Sequence, residues 1–218
     1  MKKILFLALL IAFLPAMVFA QEKVEAPAWN VGDKWTFSGD GSIEVTKADP
    51  SGYILKFSDK NCAFESQGCS TILFEKSTRN RVNAVEGDKV KKYVMGLSKI
   101  MNFPFSIGNQ WKSAGYSGKV MMPSGQNHYH DYSEDFKVIG WGKIEVRAGK
   151  FKTLLVEYKR KLVSASSPSM AMIGEEIRHQ YWYSPEVKYF VKCEYEKGWM
   201  KEDKTIFNWE LTSFQLKK

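Results

Sequence analysis

The strongest constraint in this chain is the alternation of two-residue-period aromatic runs with turn residues, densest between Val138 and Cys193. Its first half reads Val138-Ile-Gly-Trp-Gly-Lys-Ile-Glu-Val-Arg-Ala-Gly-Lys-Phe-Lys-Thr-Leu-Leu-Val-Glu-Tyr158. Its second reads Ile177-Arg-His-Gln-Tyr-Trp-Tyr-Ser-Pro-Glu-Val-Lys-Tyr-Phe-Val-Lys-Cys193. Side chains of a strand alternate between its two faces, so such runs bury one face and suit no helix. Turn signals interrupt the rest of the chain at similar spacing, and 14 Phe, 10 Tyr and 7 Trp supply the residues that favour strands. The expected fold is all-β and mainly antiparallel: a wide curved sheet, half-barrel or sandwich of roughly twelve strands. At most one short helix is expected, with Met95 to Met101 read as a short helical turn or an irregular crossover.

The first twenty residues stand apart. A basic Met1-Lys2-Lys3, an apolar run from Ile4 to Leu14, and Val18-Phe19-Ala20 before Gln21 have the layout of a secretory signal peptide cut after Ala20. The run is too short for a membrane anchor, Gln21 is not a lipidated cysteine, and no later stretch could span a bilayer as a helix. A periplasmic or secreted product is expected, with residues 21–28 a polar lead-in and 29–218 one β-rich domain. The chain has a net charge of +8, about +6 without Lys2 and Lys3. Lys and Glu are interspersed, so this charge reads as solvated surface with no stripe for nucleic acid.

The individual strands follow from the turns. Tyr53, Leu55 and Phe57 alternate with polar partners after Ala48-Asp-Pro-Ser-Gly52. Gly140-Trp-Gly142 is expected to bend the chain between strands at 136–139 and 143–146, and Arg147-Ala-Gly-Lys150 to turn it into a strand over 151–162. Val31-Gly-Asp-Lys-Trp35 and Ile107-Gly-Asn-Gln-Trp111 form a five-residue echo, each leading into a strand. Cys62 and Cys69 flank a plausible hairpin tip, where a disulfide would close a short loop. Cys193 alternates with Tyr189, Val191 and Tyr195 and reads as a buried, inert thiol.

Three motifs recur in this order in one group of proteins: Phe103-Pro-Phe-Ser-Ile-Gly-Asn-Gln-Trp111, Val146-Arg-Ala-Gly-Lys-Phe-Lys-Thr-Leu154 and Trp182-Tyr-Ser-Pro-Glu-Val-Lys-Tyr-Phe-Val-Lys192. On these the chain, from about Trp29 to Phe214, resembles the exported bacterial β-proteins of unknown function labelled TapB-like. The resemblance implies a wide curved antiparallel sheet or half-barrel, similar in outline to lipoprotein-carrier folds. It supplies no catalytic residues.

Catalytic motifs are missing from the sequence. There is no Gly-x-Ser-x-Gly elbow, no His-Glu-x-x-His and no phosphate-binding Gly loop, and no cofactor is implied. The adjacent carboxylates Glu134-Asp135 and Glu175-Glu176 point to opposite faces of a strand or sit in turns. His128 and His130, with Asp131 and Glu134, have metal-ligand residue types, but beside Pro123-Ser-Gly125 they read as incidental surface groups. His179 reads as a packed residue, not a base. What remains is the aromatic excess. The expected function is non-enzymatic binding of a hydrophobic or amphipathic ligand, or a cell-envelope partner, on a concave aromatic face. Tyr158, Tyr181, Trp182, Tyr183, Tyr189 and Trp209 are its candidate residues. A glycan-binding module or a structural envelope component is the alternative, and a hydrolase is less favoured.

Overall fold

The structure is a computed structural model that describes residues 22–39, 41–58, 71–79, 81–86, 89–91, 99–114, 120–121, 127–128, 130–165, 173–197 and 208–218. The leader at 1–20, the Cys62–Cys69 pair and residues 95–98 of the expected helix lie outside these residues. Lys99 to Met101 are not helical, and no helix occurs among the described residues.

The strands form two meanders. The first contains β1 (Lys34–Phe37), β2 (Ser42–Asp49), β3 (Gly52–Ser58), β4 (Thr71–Phe74), β5 (Arg81–Glu86) and β6 (Lys89–Lys91). The second contains β7 (Gln110–Ala114), β10 (His130–Val146), β11 (Gly149–Ala165), β12 (Glu176–Ser184), β13 (Tyr189–Lys197) and β14 (Trp209–Gln215). Between β7 and β10, β8 (Val120–Met121) and β9 (Asn127–His128) make a small two-stranded ribbon. The twelve main strands form one sheet, all pairs antiparallel, in the order β6-β5-β4-β3-β2-β1-β14-β13-β12-β11-β10-β7. Each strand therefore lies beside its sequence neighbour within a meander, and β14 joins the two by pairing with β1. The sheet does not close: β6 and β7 are its two ends. This is the wide curved antiparallel sheet that the strand pattern predicts.

Period-two burial explains the individual strands. In β3, Tyr53, Leu55 and Phe57 are buried while Ile54, Lys56 and Ser58 are less so. The expected bend at Gly140-Trp-Gly142 is instead a β-bulge. Val138 pairs with Val156 and Gly140 with Leu155, leaving Ile139 as the extra residue. A bulge kinks a strand without ending it, so β10 and β11 run as two continuous 17-residue strands. The tip of this long hairpin packs onto β14: the Ala148 N–H donates to the Leu211 carbonyl (3.1 Å), Arg147 meets Glu210 (2.9 Å), and Phe151 stands edge-on to Phe214 (5.9 Å).

Two straps cross the inner face. Residues 22–33 precede β1, residues 99–109 precede β7, and they pair antiparallel through Val24 and Phe105. Each of these two N–H groups donates to the other residue's carbonyl at 2.8 Å. The straps end in matching turns, which are the five-residue echo of the sequence. Asp33 N–H donates to the Asn30 carbonyl (2.9 Å) with Gly32 at φ +88°, and Asn109 N–H to that of Ser106 (3.0 Å) with Gly108 at φ +84°. The match extends to the next strand. Gly32 and Asp33 exchange hydrogen bonds with Val45, and Gly108 and Asn109 do the same with Val138. A side chain at positive φ is strained, which is why both turns carry glycine there.

The straps complete one continuous hydrophobic core. Trp29 sits edge-on to Trp35 (5.9 Å), Tyr53 (5.4 Å) and Phe74 (5.7 Å). Phe103 and Phe105 stack on each other (4.2 Å) and stand edge-on over Tyr183 (5.1 and 5.4 Å). Each ring so buried contributes roughly 2–3 kcal/mol.

Among the described glycines, Gly52 at the start of β3 has the closest backbone neighbour. A Cβ at Gly52 (φ +148°) would stand 2.2 Å from the Phe74 carbonyl oxygen, whereas one at Gly140 meets nothing within 4 Å. Gly52→Ala is expected to lower stability by about 2 kcal/mol or more, and Gly140→Ala to change it by less than about 0.5 kcal/mol. Urea unfolding of the two variants checks the contrast.

Candidate functional site

Register places the inner-face aromatics of the second meander in rows across the strands. One row runs Trp111, Phe136, Tyr158, His179 and Tyr195, each directly opposite the next on β7, β10, β11, β12 and β13. Its successive ring centroids are 5.2, 5.0, 5.5 and 5.4 Å apart. Such cross-strand aromatic pairs stabilise a sheet and stiffen it locally. The next row runs Val138, Val156, Tyr181, Cys193 and Trp209. The row beyond carries Trp141, Leu154, Tyr183 and Phe190, and lies under Phe103 and Phe105.

Of the residues picked out from sequence, Tyr158, Tyr181, Tyr183, Tyr189 and Trp209 share this inner face. Trp182 does not: it alternates to the opposite face, where the Lys192 ammonium lies 5.3 Å from its ring. Tyr183 and Tyr189 are buried, Tyr189 against Trp29 (6.1 Å) and Trp35 (5.0 Å). Tyr181 and Trp209 remain half-buried, 6.3 Å from each other, with Tyr158 6.3 Å from Tyr181. Their environment divides the face in two. Next to the straps the aromatics are sealed; around Tyr181 and Trp209 they retain solvent exposure.

Beyond the aromatic row, toward β7, the inner face turns polar. Glu134, only 3% exposed, accepts a hydrogen bond from the Tyr158 hydroxyl (2.7 Å) and pairs with Arg160 Nε at 3.2 Å. The Arg160 guanidinium also lies 4.2 Å from the Tyr132 ring centroid, a cation–π contact. Asp135, the adjacent carboxylate, reaches Lys112 (3.2 Å) on the other face, as strand alternation requires. His179 is buried with its Nδ1 3.7 Å from the Cys193 sulfur. Burial, reinforced by the charge of Arg160, lowers the imidazole pKa to about 4. Burial also raises the Cys193 thiol to about 12, so this sulfur is not a nucleophile at neutral pH.

Sequence reading missed Arg160 and passed over Glu134 as half of an adjacent acid pair. Both occupy apolar-phase positions: Glu134 precedes Phe136 and Val138, and Arg160 follows Leu154, Val156 and Tyr158. Opposite charges in register on two buried faces were the available signal. Among the described residues no group of three or more His, Cys, Asp or Glu side chains could hold a metal. His128 and His130 are placed by backbone pairing with Val120 and Ala165. No helix among the described residues is long and apolar enough to cross a membrane.

No family model matches the chain, and no curated protein matches it. Two solved structures are similar. One is a protein assigned as exported, with a YmcC-like fold, from Bacteroides fragilis: TM-score 0.42, 13% identity, covering 88% of this chain and 99% of that one. The other is an assigned lipoprotein from Parabacteroides distasonis: TM-score 0.37, 14% identity, covering 89% and 100%. At these values neither assigns a family or a function to this chain.

The buried ion pair and the buried imidazole make separate expectations. Arg160→Met strands a desolvated carboxylate and should cost about 3 kcal/mol, much of it recovered in the Arg160→Met, Glu134→Gln double variant; urea midpoints of both variants check this. For His179 the folded pKa lies below the ordinary 6.5, so the unfolded chain takes up the proton first. Its contribution is complete above about pH 6.5, falls as pH drops toward about 4, and is constant below that, a loss of up to about 3 kcal/mol. His179→Phe should flatten the stability curve in that window, read by urea unfolding at pH 7, 5.5 and 4.

Proposed function

We propose that this is an exported, non-enzymatic protein that binds a hydrophobic or amphipathic ligand, or an envelope partner, on the concave aromatic face of the sheet. The leader-like residues 1–20 and the motif resemblance to the TapB-like exported proteins support the export part of this reading. One observation carries the binding part: the inner-face aromatics are sealed beneath the straps at one end but left half-exposed at Tyr181 and Trp209. A face with only a structural role gains nothing from exposed aromatics, whereas an apolar ligand would bury them and gain about 25 cal/mol per Å². Tyr158, anchored to Glu134, is the rigid neighbour that would orient such a ligand.

Purification of the chain from residue 21 to 218 out of its native envelope, followed by native mass spectrometry and organic extraction, tests this. A co-purifying lipid-sized mass is expected, and Tyr181→Ala with Trp209→Ala should lose it while remaining folded. A clean apo mass with no tryptophan fluorescence response to added lipids would overturn the reading.

A further inference from the structure

The outer edge of β10 is only partly used. β7 pairs with residues 133–137, and the strap turn at Gly108 and Asn109 bonds Val138. Beyond that point, among the described residues, no strand lies beside residues 140–146 on this side, although β11 pairs with every one of them on the other. The direction of the edge groups follows from the hairpin. Val146 faces Gly149 across the two-residue turn Arg147-Ala148. In such a hairpin the flanking pair exchanges both backbone hydrogen bonds, and bonded pairs recur at every second residue. Val146, Ile144 and Gly142 therefore bond to β11, while the N–H and C=O groups of Trp141, Lys143 and Glu145 point out of the sheet. Among the described residues nothing bonds these outward groups.

The edge is open to a close backbone approach. Gly142, Lys143 and Glu145 are exposed, and a Cβ added at Gly140 or Gly142 would meet nothing within 4 Å. Proteins ordinarily blunt such an edge with lysines, proline or a covering segment. Here Lys143 and Glu145 carry opposite charges two residues apart, which makes the edge complementary to itself. When two copies meet antiparallel about a two-fold axis through Ile144, Lys143 of each lies opposite the partner's Glu145. Both are outward-bonding residues, so each pair exchanges two backbone hydrogen bonds and sets an ammonium beside a carboxylate. Gly142, without a side chain, falls opposite the partner's Val146. An axis through Lys143 or Glu145 would instead set like charges opposite each other, so the charges also fix the register.

We propose that residues 142–146 of β10 are a self-association edge, joining two copies of this chain into one continuous sheet about Ile144. The inference is independent of the ligand-binding reading above. The contact is isologous, so it closes at the dimer. Four backbone hydrogen bonds and two ion pairs make a small interface, and the dimer is a weak one, with a Kd of about 10–100 µM.

Sedimentation equilibrium of residues 21–218 between about 5 and 500 µM, a range that brackets this Kd, tests the proposal. The wild type is expected as a mixture of monomer and dimer. Lys143→Glu and Glu145→Lys each set like charges opposite in both pairs, and each should weaken dimerisation at least about tenfold. The Lys143→Glu, Glu145→Lys double variant restores opposite charges and should return to within about threefold of the wild type. Both side chains are exposed, and Glu145 meets Lys150 only at the surface (3.2 Å), so the variants are expected to fold. Amide hydrogen exchange of the wild type, read by NMR, needs no variant. The Lys143 and Glu145 amides should exchange at least about fivefold more slowly at high than at low protein concentration, with that of Ile144 unchanged. A wild type that stays monomeric across the range would overturn the proposal. So would a single reversal that dimerises like the wild type, a double variant as weak as the single ones, or concentration-independent exchange at Lys143 and Glu145.

Discussion

The core depends on the pairing of the straps through Val24 and Phe105. An antiparallel sheet that does not close leaves one face of its meanders without a partner layer, and a face this rich in Trp, Tyr and Phe cannot stay in water. The two reciprocal 2.8 Å hydrogen bonds satisfy the backbone of both straps where they cross that face. They thereby hold Trp29 against Trp35 and Phe74, and Phe103 and Phe105 against Tyr183. Further bonds fix the ends. The Trp29 indole donates to the Lys188 carbonyl (2.9 Å), the Lys188 ammonium to the Ala28 carbonyl (2.9 Å), and Lys152 reaches Glu22 (3.1 Å). Two short segments thus do the work that a second sheet does in a sandwich.

The paired turns show that the two meanders are built on one plan. Each consists of a strap, a glycine turn that hydrogen-bonds a valine on the neighbouring strand, and a Trp two residues into the next strand. The plan then diverges. Trp35 is fully buried and its indole donates to the Val187 carbonyl in the opposite meander (2.8 Å). Trp111 is half-buried and donates to Lys99 of its own strap (2.8 Å). The first tryptophan therefore ties the halves together, while the second anchors the strap and opens the aromatic row. Asp33, buried where the second turn has Asn109, adds a link to the C-terminal end through the Lys217 N–H (2.6 Å).

The fold was legible because strand alternation is local: Tyr53-Leu55-Phe57 and Leu154-Val156-Tyr158 state which face is buried before any partner is known. The glycine echo was legible too, since positive φ leaves its mark on residue type. The bulge at Ile139, just before Gly140, was not, because whether a glycine ends a strand or only follows a kink depends on the register of its partner. The fate of the aromatics was illegible for a related reason. Tyr183 and Tyr189 look like Tyr181 in sequence, but only the first two lie beneath the straps. Trp182 shows the reverse: its identity suggests the site, and its phase relative to Tyr181 already places it on the other face.

Charge distinguishes the two ends of the inner face. Toward β7, Glu134 neutralises Arg160, so this end presents a dipole whose field falls off quickly, and the Tyr158 hydroxyl satisfies the carboxylate further. Beneath the straps, Arg79 presents a net positive charge screened by little but ring faces and two neutral oxygens. The aromatic layer therefore packs over a neutralised pair at one end and around a guanidinium at the other, where ring faces and carbonyl dipoles stand in place of an anion.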